Sequence, residues 1–129
     1  MILVNEGTTA TLNLNFFDEL GRSAVPDSAR YQVSDLDSKS VILPWTAISV
    51  STNSASVVIA EQYNILLDEG KDKETRVITV VIQYSGGKQS TAEYTYNVIN
   101  LMDVPPAFVN IGSGGGIVGG AASFTGTHI

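Results

Sequence analysis

The sequence predicts an all-β chain: an immunoglobulin-like antiparallel β-sandwich of about seven strands that continues into an extended glycine-rich C-terminal arm. Apolar and polar residues alternate with period two in several short runs, turn residues separate those runs at short intervals, and no segment carries convincing amphipathic helical periodicity. With 129 residues the chain is long enough for one ordinary domain that buries its own core.

Thr9 to Phe16 gives the clearest strand, with Ala10, Leu12, Leu14 and Phe16 alternating against Thr11, Asn13 and Asn15. Asp18 to Gly21 and Val25-Pro26-Asp27-Ser28 supply breaks, and Ala29 to Val33 resumes an extended pattern between them and the next turn. Val41 to Leu43 is a short apolar run closed by Pro44. Trp45 to Val50 and Ala55 to Ile59 then read as a hairpin around Ser51 to Ser54. Glu61 to Leu67 suits no more than a helical turn, and the charged stretch from Asp68 to Glu74 reads as a loop. Arg76 to Tyr84, β-branched and apolar on both faces, is expected as a central strand covered on two sides. Gly86-Gly87 marks a tight turn into Ser90 to Leu101, which places Ala92, Tyr94, Tyr96 and Val98 on one face and makes a second hairpin. Pro105 and Pro106 cannot donate to a ladder, so the sandwich is expected over residues 1–102 and the arm over 103–129.

Composition narrows the function. A net charge of −6 with dispersed basic residues disfavours direct nucleic-acid binding, which depends on Lys and Arg displacing counterions. The absence of cysteine excludes disulfides, thiolate metal sites and a thiol nucleophile. MILVNEGTT has neither a basic n-region nor an apolar run of signal-peptide length, so the mature protein is expected to begin here, made in the cytoplasm. No apolar run approaches the ~18 residues a membrane helix requires.

Candidate motifs reduce to structural readings. Gly114 to Gly119 matches G-x-G-x-x-G, but prolines precede it and no acidic residue follows to hold a ribose. No Lys-Ser or Lys-Thr follows the glycines as a phosphate loop requires. Asp35-Leu36-Asp37-Ser38 could open a calcium loop, but Ser40 and Thr46 stand where Gly and Glu are needed, which leaves a solvated turn. His128 is far in sequence from any Asp or Glu, so it cannot be paired with a nucleophile and an orienting acid, and Glu61, Asp68, Glu69 and Glu93 form no recognisable acid–base pair. The four acids and three bases from Asp68 to Arg76 read as a solubilising loop. No catalytic residue, cofactor or metal site is expected.

The arm is the distinctive feature. Val109 to Ile129 holds seven of the twelve glycines and no Asp, Glu, Lys or Arg. Glycines permit close backbone approach, and the apolar side chains among them offer anchors, so docking onto a neighbouring subunit is favoured. The competing reading is an extra edge strand on the chain's own sandwich, where protective charge would be the usual expectation. The candidate partner-binding residues are Pro105, Pro106, Phe108, Val109, Ile111, Ile117, Val118 and Phe124.

Val25-Pro26-Asp27-Ser28-Ala29-Arg30-Tyr31-Gln32-Val33, Pro44-Trp45-Thr46, Arg76-Val77-Ile78-Thr79-Val80 and Glu93-Tyr94-Thr95-Tyr96-Asn97-Val98 together resemble small virion proteins of tailed bacteriophages. The resemblance spans Thr9 to Leu101. It implies a non-enzymatic immunoglobulin-like module that decorates the head or joins head to tail, located in the virion. Its partners would be other virion proteins: capsid, portal or tail subunits, in several copies, with no nucleic acid or membrane. A tail or baseplate adaptor is an alternative. So is a carbohydrate- or host-surface-binding module using Tyr31, Trp45, Tyr63, Tyr84, Tyr94 and Tyr96.

Overall fold

Side-chain alternation sorts the strands into two facing sheets. The computed structural model describes residues 2–101 and the backbone of residues 121–128. Its strands are β1 (Ile2–Asn5), β2 (Thr9–Phe16), β3 (Ser28–Asp35), β4 (Val41–Ile48), β5 (Ser54–Ile59), β6 (Lys73–Tyr84), β7 (Lys88–Ile99) and β8 (Ala121–His128). One sheet has the order β1-β7-β6-β3-β4 and the other β5-β2-β8. A single 3-10 turn, Glu61–Tyr63, lies between β5 and β6.

The period-two reading of Thr9 to Phe16 holds: Ala10, Leu12, Leu14 and Phe16 are all buried, and the polar residues between them are only partly so. They meet Tyr31 and Val33 of β3, Ile78, Val80 and Ile82 of β6, and Tyr96 and Val98 of β7 in one core. Interdigitating side chains from two inner faces are the usual way such sheets exclude water. β6 is central, paired with β3 and β7 as its β-branched composition demands. Its hairpin with β7 turns at Gly86 and Gly87, whose φ values of 85° and 77° lie where a side chain would be strained.

Several expectations are corrected. The sandwich is not wholly antiparallel, because β1 pairs parallel with β7 and β8 pairs parallel with β2. Trp45–Val50 and Ala55–Ile59 form no hairpin: β4 pairs with β3, and β5 pairs with β2 in the opposite sheet. The intervening turn is a crossing between layers, which alternation along each strand cannot distinguish from a hairpin. Pro44 does not close a strand. β4 runs through it because β4 lies on the sheet edge, and register shifts opposite Tyr31, Val33 and Ser34 accommodate the lost donor. β6 is buried on both faces as expected: Ile78, Val80 and Ile82 point inward, and Val77 and Val81 on the outer face are also buried, between the register neighbours Ser34 and Thr95, and Arg30 and Thr91, respectively.

Because Leu12 sits wholly buried at the middle of the inner face, Leu12→Ala leaves a cavity in both the transfer and packing sense. It is expected to cost about 2–5 kcal/mol in urea unfolding, whereas Thr11→Ala on the outer face should cost a small fraction of that.

Candidate functional site

Among the described residues the buried charged side chains, Glu6, Asp35, Glu74 and Arg76, gather at one end of the sandwich. At the end where β3 turns into β4, Arg76 is fully buried and its Nη1 donates to Asp35 Oδ1 at 2.8 Å and to Glu74 Oε1 at 2.9 Å. Its Nη2 donates to the Ile65 carbonyl at 2.8 Å. Glu74 in turn accepts the N–H groups of Leu67 and Asp68, and Asp35 accepts the N–H and hydroxyl of Ser38. The turn at Asp35 is therefore not simply solvated, and Glu74 and Arg76 belong to β6 rather than to a solubilising loop. Sequence reasoning missed this cluster because its members are charged residues in a charged run. The one available signal is that Glu74 and Arg76 are separated by two, which puts them on the inner face with Ile78.

Burial opposes ionisation of Asp35, but the Ser38 N–H and hydroxyl and the Arg76 guanidinium together hold its carboxyl below the ordinary range. Glu74 is likewise opposed by burial, yet is held low by the N–H groups of Leu67 and Asp68 and by Arg76. Beside this cluster, Glu6 is buried and accepts the Leu66 N–H at 2.8 Å. Its carboxyl also approaches Glu69, whose pKa is raised first by that contact and then by burial and neighbouring acids. Buried Asn64 links the same end: its Nδ2 donates to the Thr8 carbonyl and its Oδ1 accepts the Tyr96 hydroxyl, at 2.7 and 2.6 Å. These groups hold loops to strands. Among the described residues no set of three or more His, Asp or Glu is placed to hold a metal ion.

At the opposite end, an open groove of about 560 Å³ lies between the turn after β2 and the β6–β7 hairpin, lined in part by Leu20, Val25 and Tyr84. Its charges are matched: Asp18 pairs with Arg22 and Glu19 with Lys88. The Tyr84 hydroxyl donates to the Phe17 carbonyl at 2.7 Å. Glu61 lies in the 3-10 turn and Glu93 on the outer face of β7 within reach of Thr79, so neither is brought together with the other or with a nucleophile–base pair.

The aromatic set is divided by the fold. Tyr31 and Tyr96 are buried, Tyr63, Tyr84 and Tyr94 pack partly against the core, and burial raises the hydroxyl pKa of Tyr31, Tyr84, Tyr94 and, most strongly, Tyr96. Trp45 is 44% exposed on β4, and the Arg30 guanidinium lies 5.1 Å from its ring centroid.

Of the candidate arm residues, Pro105, Pro106, Phe108, Val109, Ile111, Ile117 and Val118 lie outside the described residues. Phe124 falls in β8, opposite Leu12 in a parallel ladder that runs from Thr9↔Ala121 to Phe16↔His128. The last segment thus takes the edge-strand position on the chain's own β2. Compared with protein-family models, curated proteins and solved structures, the chain matches none.

Arg76→Met strands two buried carboxylates and is expected to cost about 3–5 kcal/mol in denaturant unfolding. Asp35 and Glu74 have folded pKa values below their unfolded ones. Their contribution is therefore complete above about pH 5 and is lost as pH falls through the folded values, below about pH 4. A plot of stability against pH should show this acid limb in the wild type and a flatter one in Arg76→Met.

Proposed function

We propose that this chain is a non-enzymatic structural component of a tailed-phage virion, binding the capsid or head–tail region through its sandwich and its C-terminal segment. The observation that supports the reading is the β2–β8 ladder. Eight consecutive residues without a charged side chain other than the neutral-capable His128 add to a sheet edge by backbone pairing. Strand addition of this kind derives its affinity from main-chain hydrogen bonds and can be made to a neighbour's edge as readily as to the chain's own. The immunoglobulin-like reading has support from the strand partners, since β2–β5 in one layer and β3–β6–β7 in the other follow the B–E and C–F–G pairing of that fold.

The carbohydrate-binding alternative draws less support. Sugar platforms use exposed aromatic faces, and Trp45 is the single member of the six-residue aromatic set among the large exposed apolar residues.

The test is removal of residues 104–129. The truncated chain should remain a folded sandwich by circular dichroism, with a lower midpoint because the β2 edge is bared, and should no longer be incorporated into particles. Incorporation at the full-length level would overturn the proposal.

A further inference from the structure

From Ser40 to Ala60 no residue carries a charge, in a chain where 16% of residues do. The fold gathers that stretch on one side: β4 is one terminal strand of the larger sheet and β5 one terminal strand of the smaller, each with a single strand partner among the described residues. Between them lies a cleft of about 220 Å³ lined by Tyr31, Ile48, Ser56 and Val57 among others. The two edges differ in protection. β4 is blunted by Pro44 and its register shifts, two devices that stop an edge from templating another strand. β5, Ser54-Ala55-Ser56-Val57-Val58-Ile59, has no proline, no lysine and no irregularity in its pairing with β2. Val58 is 58% exposed on it.

We infer that β5 is a self-association edge, at which a second copy of this chain adds its own β5 antiparallel about a two-fold axis. The occupant follows from charge. Two copies carrying −6 each repel wherever their carboxylates face one another, and the Ser40–Ala60 stretch that forms β4 and β5 contributes none of those carboxylates. That side is where identical chains approach without like-charge cost, and an antiparallel strand pair is self-complementary under two-fold symmetry. Pairing joins the two smaller sheets into one of six strands, β8-β2-β5 continued by its symmetry mate, and covers Val58. The contact is short, so the dimer is a weak one. This goes beyond the proposed virion role and needs no other partner, so it stands or falls on the purified chain whatever particle incorporation shows.

Sedimentation velocity of the full chain up to about 0.5 mM, the range in which small interfaces associate, should show a concentration-dependent shift from monomer to dimer. Val58→Lys, a change at an exposed position that places like charges across the junction, should remove the shift while Val58→Thr keeps it, both with unchanged circular dichroism. In the wild type, amide exchange should slow with concentration across Ser54–Ile59. A wild type that stays monomeric, a folded Val58→Lys that dimerises equally, or protection appearing elsewhere than β5 overturns the inference. Should Val58→Lys not fold, the wild-type exchange pattern decides alone.

Discussion

A guanidinium with no exposed surface constrains this fold more than any apolar contact does. Arg76 pairs in register with Asp35 across the β3–β6 ladder, and through Glu74 and the Ile65 carbonyl it also fixes the segment leading into β6. Burying a charge is costly unless it is paired, and with Nη1 and Nη2 partnered but, among the described residues, the buried Nε not, the arrangement tolerates little displacement. A one-residue slip of β6 would carry Arg76 and Glu74 together to the outer face and leave the buried Asp35 carboxylate on β3 without its guanidinium. The apolar core supplies most of the driving force for collapse. The ion cluster selects which of the possible strand registers that collapse adopts.

That division explains what could be read from the residues alone. The inner face of β2, the central place of β6 and the β6–β7 hairpin were legible because period-two burial and paired glycines are local signals. Strand partners were not. Val57 and Ile48 alternate equally well in a hairpin or in two different layers, and only the three-dimensional closure of the core assigns β5 to β2 and β4 to β3. β1 escaped notice because four residues are too few to establish a period, and it is held by parallel pairing to a strand more than ninety positions later. Arg76 and Glu74 were hidden for the opposite reason: their residue types advertise solvent, and burial of such groups depends on partners that no short window contains.

For the candidate site the same limit is sharper. The absence of charge in the C-terminal segment was visible at once, and it suits both of the readings that the sequence allowed: an edge strand at home or a strand lent to a neighbour. The ladder on β2 is the home arrangement, and backbone pairing makes no distinction between edges of equal shape. What the fold adds is a second uncharged border, β4 and β5, which only becomes one surface when the two sheets are stacked.

The β2–β8 ladder joins residues 112 positions apart in sequence. During synthesis the strands that make up the core leave the ribosome well before Ala121 does, and domains begin to fold as their elements emerge. For that interval β2 must stand with one side of its backbone unpaired, and closing so distant a pair is entropically slow. The nascent sandwich is thus briefly a receptor for any extended segment within reach, and crowding of identical chains on one message raises the chance that the first strand to arrive belongs to another molecule.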